Sequence, residues 1–97
     1  MAAIRTVDSA TETTYTALLS DDIILCICTT AAITITLPAA VDLTGKAYSI
    51  KKLDVSANTV TLDGDGAETI DDDATRLLLV QYDAITVISD GTEWWIF

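Results

Sequence analysis

The feature that most constrains the fold of this chain is an alternation of apolar and polar side chains along short segments. In the segment AITITL, Ile33, Ile35 and Leu37 fall on one face, and Thr34 and Thr36 fall on the other. A period of two, built from β-branched residues, predicts a half-buried β-strand. The same pattern recurs in four further segments: Ala47–Leu53, Asn58–Leu62, Ala84–Ser89 and Glu93–Phe97.

Three other segments, TYTAL, DIILCIC and TRLLLV, are short or almost wholly apolar. Such runs are typical of strands that are covered on both faces. Clusters of Ser, Asp, Asn and Gly separate the segments, and SDGT at Ser89–Thr92 has the composition of a hairpin turn. The sequence therefore predicts a single all-β domain over residues 14–97, a small antiparallel sandwich or barrel of about eight short strands.

The first thirteen residues differ from the rest of the chain. Residues 1–13 are small, rich in Ser and Thr, and contain a single isoleucine, Ile4. This composition predicts a flexible N-terminal arm in front of the domain.

The chain has more apolar residues than one small domain readily hides. Of its 97 residues, 51% are hydrophobic, whereas a domain of this size buries only about 60–65% of its unfolded surface. We therefore expect a homo-oligomer. In the terminal segment EWWIF, Trp94 and Ile96 face one way, and Trp95 and Phe97 face the other. This strand is either covered inside its own fold or packs against a neighbouring subunit, and its four apolar residues are our candidate interface.

The charge of the chain excludes several classes of function. A net charge of −10 disfavours binding to nucleic acid and to anionic membrane surfaces. The chain has no histidine, which is the commonest general base and the usual zinc ligand. We expect no enzyme activity, no catalytic residue, no cofactor and no metal, and synthesis in the cytoplasm.

Two smaller groups of residues have ordinary structural interpretations. Cys26 and Cys28 share one face of a predicted strand, and we expect two buried, reduced thiols. Lys46, Lys51 and Lys52 form the only concentrated positive charge. Lys51 and Lys52 alternate faces, so at least one is expected to reach solvent or to cover apolar surface with its stem. Pairing of these lysines with a neighbour's aspartates is the alternative.

The segment LDGDGAETIDDDA, Leu62–Ala74, is densely acidic. It does not match an EF-hand loop, because Ala67, Glu68 and Ala74 stand where that loop needs an oxygen ligand, a glycine and a glutamate. Two interpretations stay open. Either the segment is a tight turn followed by a solvated loop, or its carboxylates converge on a hard cation. The candidate ligands are Asp63, Asp65, Asp71, Asp72 and Asp73.

The order of motifs from Ile33 onward resembles a small β-rich module of tailed-bacteriophage structural proteins. The segments are ITITLP, GKAYSIKKLDVSANTVTLDGDG, ETID and QYDAITVISDGTEWWI, and the likeness extends back to Tyr15. Its most specific part is IKK-D-SANTVT at Ile50–Thr61, followed by SDGT and a tryptophan. The resembled modules tend to carry glycine after TID, where this chain has Asp72.

The resemblance implies a non-enzymatic component of the virion surface, assembled as a trimer. We expect a capsid decoration protein that cements the outer shell, with the major capsid protein or another virion protein as its partner. The alternative is a tail-fibre or tail-associated module that recognises a receptor or glycan, or attaches to the virion. In the first case the arm is the expected capsid contact, through Ala2, Ala3, Ile4, Arg5, Thr6 and Val7.

Overall fold

A computed structural model describes all residues, 1–97, and shows an all-β chain of nine strands. The all-β prediction is confirmed, with nine strands instead of about eight. No helix of the structure is long and apolar enough to cross a membrane. The strands are β1 (Ile4–Asp8), β2 (Thr14–Thr16), β3 (Ile23–Ile27), β4 (Ile33–Thr36), β5 (Ala47–Lys52), β6 (Val60–Asp63), β7 (Thr75–Leu78), β8 (Ala84–Ser89) and β9 (Trp94–Ile96).

The strands form two sheets that share one core. The five-stranded sheet has the order β1-β3-β5-β8-β9, and the four-stranded sheet has the order β2-β4-β6-β7. From β1 to β6 the chain alternates between the two sheets, so each pair of successive strands forms one turn of a flattened coil. The last three strands then fold back antiparallel and end the coil.

The predicted antiparallel arrangement is therefore only partly correct. Of the seven strand pairings, β1–β3, β3–β5, β2–β4 and β4–β6 are parallel. Parallel neighbours need a crossover connection, and here a strand of the opposite sheet supplies it. The alternation of side chains fixes which face of a strand is buried, but it carries no information about the direction of the neighbouring strand.

The core lies between the sheets and is filled by the inward side chains that the alternation predicts. Ile33, Ile35 and Leu37 are fully buried. Trp94 and Tyr48 are the two largest fully buried side chains, and their ring centroids are 5.6 Å apart at an interplanar angle of 49°. This tilted arrangement is one that aromatic pairs favour.

Within the first thirteen residues, Ile4–Asp8 forms strand β1 and pairs along its whole length with β3. Val7 is fully buried in the core. Beyond the strand, the Ser9 hydroxyl accepts hydrogen bonds from the amides of Thr30 and Ala31. A strand with one buried apolar residue leaves only a weak signal in the sequence.

The alternating path gathers the connections at two opposite ends of the sandwich. One end carries the loops 17–22, 37–46, 64–74 and 90–93, which hold most of the acidic residues of the chain. We call it the acidic end. The opposite end carries the loops 9–13, 28–32, 53–59 and 79–83. Its carboxylates are few: Asp8, Glu12, Asp54 and Asp83.

Candidate interaction surface

The outer face of the five-stranded sheet is apolar, although it points away from the core. In β3, Ile24 and Cys26 are fully buried, whereas Ile23, Leu25 and Ile27 point outward and are only partly covered. The neighbouring strands continue this surface, which we call the apolar face. Its members are Ile4, Ile23, Leu25, Ile27, Ala47, Ile88, Trp95 and Phe97.

The strand register brings these side chains into adjacent rows. Ile4 pairs with Ile23, and in the next row Ala47 pairs with Ile88, which pairs with Trp95. Phe97, whose amide bonds to the Thr86 carbonyl, extends the first row at the edge of the sheet. Directly opposed cross-strand neighbours lie about 4.5–5.5 Å apart, so the paired apolar side chains contact each other. In the first row, Ser49 and Thr86 stand between Ile23 and Phe97.

The polar groups within the apolar face are largely satisfied inside the chain. The Ser49 and Thr86 hydroxyls bond to each other at 3.0 Å. The indole Nε1 of Trp95 donates to a carboxylate oxygen of Asp90 at 2.7 Å, which fixes the ring on the surface. The charged side chains on this side of the sheet are Asp8 on the edge strand β1 and Lys51 on the central strand β5, where it pairs with Leu25 and Ala84. The Lys51 ammonium lies over the ring of Tyr82. A surface with this composition is suited to burial against another protein.

The structure divides the four candidate interface residues between two environments. Trp94 is fully buried in its own core, and Ile96 packs against the same core. Trp95 and Phe97 lie on the apolar face, and Phe97 is 80% exposed. The predicted alternation of the segment is thus observed, and it leaves Trp95 and Phe97 as the pair that can meet a partner.

The candidate arm residues are also divided. Ala2, Ala3, Ile4 and Thr6 are exposed, and Val7 is buried. Arg5 is partly exposed and forms an ion pair with Glu12 at 2.6 Å, and its guanidinium lies 4.5 Å from the centre of the Tyr15 ring.

The acidic segment forms turns, and its carboxylates do not converge. Asp71 accepts a hydrogen bond from the Ile96 amide at 2.9 Å, and Asp73 pairs with Arg76 at 3.0 Å. No group of three or more acidic or cysteine side chains in the chain could hold a metal ion. Asp72 has a φ of 68°, in the left-handed region that glycine adopts most readily. This is the position at which the resembled modules tend to carry glycine.

The most specific part of the resemblance, IKK-D-SANTVT, forms a buried polar network that the sequence did not reveal. The Lys52 side chain is fully buried, and its ammonium donates to the Asp54 carboxylate at 3.0 Å and to the carbonyls of Asp54 and Ser56. Asp54 also accepts from the Cys28 amide at 2.8 Å, from the Ser56 amide at 3.0 Å and from the Ser56 hydroxyl. Asn58 donates to the Cys28 carbonyl at 2.8 Å.

This network fastens the β5–β6 loop to the end of β3. Burial alone would raise the pKa of Asp54, but hydrogen bonds from Ser56 and the Cys28 amide, together with Lys52, hold that pKa far below its usual range. Burial lowers the pKa of Lys52, but the hydrogen bond to Asp54, the charge of Asp54 and the neighbouring Cys28 together outweigh it, so the net pKa is raised. Both groups therefore stay charged, and the motif serves structure in this chain.

The predicted burial of the two thiols is confirmed. Cys26 and Cys28 are both buried and unbridged. Burial raises the pKa of Cys26 to about 12. The pKa of Cys28 is also raised, chiefly by burial and secondly by the hydrogen bond to Asp54. Thiols in this state are poor nucleophiles at neutral pH.

The domain shows no cavity or cleft that could enclose a small ligand. No protein-family model matches the chain, and no curated protein matches it either.

Proposed function

We propose that this chain is a non-enzymatic structural protein of a tailed-phage virion, and that it decorates the outer capsid shell as a homotrimer. The observation that carries the proposal is the apolar face. A chain with a net charge of −10 places almost none of that charge on the outer side of its larger sheet. Surfaces of this kind in soluble proteins are usually covered by a partner.

The size of the apolar face suits assembly. Five strands spaced about 4.8 Å apart, each rising about 3.3 Å per residue over roughly five residues, give the whole outer side of the sheet on the order of 400 Å² in projection, and the apolar face is part of it. The largest apolar patch on a typical monomer measures about 300–600 Å² and is often functional. Other copies of the same chain are the proposed cover. Trp95 and Ile88 lie where neighbouring subunits would meet.

The phage assignment is supported by the resemblance in Tyr15–Phe97 and by what its signature does in the fold. Lys52, Asp54 and Asn58 tie loops together, and Asp72 occupies a left-handed turn. A protein that needs these motifs for structure alone fits a virion component better than an enzyme. Its charge would keep it soluble in the host cytoplasm before it binds the virion surface.

The number of copies per particle tests this function. Virions purified from the phage that encodes the chain are separated on a denaturing gel, and the band is compared with that of the major shell protein. A decoration protein should be present at hundreds of copies. A count in the tens would favour the tail-fibre or tail-associated module instead. If the protein is absent from the particle, both functions are contradicted.

A further inference from the structure

A second apolar surface lies outside the apolar face, where β7 ends and the turn to β8 begins. Leu79 is 52% exposed, and Val80 and Tyr82 are each 60% exposed. The turn lies at the end of the sandwich opposite the acidic end. We call this turn, together with Lys51, the Tyr82 surface.

The turn holds these side chains in a fixed position. One carboxylate oxygen of Asp83 accepts hydrogen bonds from the amides of Leu79 and Val80, at 3.0 and 3.1 Å. The Tyr82 amide donates to the Lys52 carbonyl at 2.8 Å. Tyr82 itself has a φ of 71°, an unfavourable conformation for a bulky side chain. A rigid turn that displays apolar side chains loses little conformational entropy when it binds a partner.

Lys51 adds a charge that has no counterpart within the chain. The other four basic side chains each form an ion pair: Arg5, Lys46, Lys52 and Arg76. Lys51 pairs with no carboxylate, although the chain has 15 of them. Its ammonium instead lies 5.5 Å from the centre of the Tyr82 ring. The one unpaired basic side chain thus stands beside the exposed apolar turn.

We propose that the Tyr82 surface docks into an apolar recess, bordered by a carboxylate, on the shell protein of the virion. This inference rests on the proposed function and names the contact that attaches the protein to the shell. Tyr82 and Val80 would fill the recess, and Lys51 would pair with the carboxylate. The acidic end then points away from the shell, where its charge meets solvent.

Assembly would strengthen this contact. In a trimer whose strands run along the threefold axis, the three Tyr82 surfaces face the same side. Once one has bound, the other two are held close to their sites, and the combined affinity exceeds that of a single contact.

The test is cosedimentation of purified protein with particles assembled from a phage genome that lacks its gene. Tyr82→Asn removes the ring but tolerates the left-handed backbone, and Lys51→Glu reverses the charge. Leu19→Ala is the matched control, because Leu19 is 65% exposed at the acidic end. Sedimentation of each variant alone checks that all assemble as the wild type does.

We expect the wild type and Leu19→Ala to bind equally, and both Tyr82→Asn and Lys51→Glu to weaken binding at least about tenfold. If both variants bind like the wild type, this inference is overturned while the proposed function stands. If the wild type itself does not bind the particles, the proposed function fails, and the inference fails with it.

Discussion

Replacing Asp54 by alanine is the most informative single change for the stability of the fold. The substitution removes the one carboxylate that forms an ion pair with the Lys52 ammonium and leaves that ammonium fully buried. It also removes the carboxylate to which the amides of Cys28 and Ser56 donate hydrogen bonds. Breaking a buried ion pair from one side costs about 3–5 kcal/mol. A domain of this size has only about 5–15 kcal/mol of stability in total.

The assay is urea unfolding followed by circular dichroism at pH 7, with thermal melting as a second measurement. A loss of about 4 kcal/mol should lower the melting temperature of a domain this small by roughly 20 °C. The double variant Lys52→Met, Asp54→Ala removes the stranded charge as well. It should be more stable than Asp54→Ala by about 1–3 kcal/mol.

The pH dependence supplies an independent check with a fixed sign. The pKa of Asp54 is lower in the folded chain than in the unfolded chain, where it is about 3.9. The ionised carboxylate therefore contributes fully to the free energy of unfolding above that pH, and the contribution is lost as the pH falls below it. The difference in the free energy of unfolding between the wild type and Asp54→Ala should therefore be constant from pH 7 to about pH 5 and should shrink below pH 4. A loss under about 1 kcal/mol at pH 7, or a double variant no more stable than the single one, would refute this reasoning.

Further predictions concern the core, the turns and the thiols. Trp94→Ala should cost about 3–5 kcal/mol, and Trp94→Phe distinctly less, because the buried indole Nε1 has no hydrogen-bond partner to lose; urea unfolding measures both. In the acidic segment, Gly64→Ala drives a Cβ into the Glu68 carbonyl oxygen. It should therefore lower the free energy of unfolding by more than Gly66→Ala, whose Cβ meets open space and whose left-handed φ costs only about 1 kcal/mol. Cys26 should resist alkylation at pH 8 until the protein unfolds, since burial raises its pKa to about 12. Excess chelator or added calcium should leave the melting temperature unchanged, and a shift would mean that the aspartates bind a cation.

The alternation of side chains predicted which way most residues face. It placed Ile33 and Ile35 inward, and it separated Trp94 from Trp95 correctly. The run DIILCIC predicted a strand covered on both faces, yet in the single chain only the side of Ile24 and Cys26 is covered. The outer side of that strand is the apolar face.

What the sequence could not show depends on contacts between distant segments. The parallel pairing of β1 with β3 follows from the path of the chain between two sheets, and no local pattern encodes it. The alternation of faces predicts that at least one of Lys51 and Lys52 points outward, and Lys51 does. It could not show that Lys52 is buried as a charged group, because the β5–β6 loop folds back and supplies Asp54 and two carbonyls. The Tyr82 surface was missed for the same reason, since the exposure of Leu79 and Val80 depends on where the turn closes.

The central claim is that other copies of this chain cover the apolar face, and the mass of the protein in solution tests it most directly. Sedimentation equilibrium is measured for the wild type, for Ile88→Asp on the apolar face and for Thr34→Asp on the outer face of the four-stranded sheet, with circular dichroism to verify folding. The account predicts three chains of 10.3 kDa for the wild type and for Thr34→Asp, and a single folded chain for Ile88→Asp. A monomeric wild type, or an Ile88→Asp variant that still sediments as three chains, would contradict it.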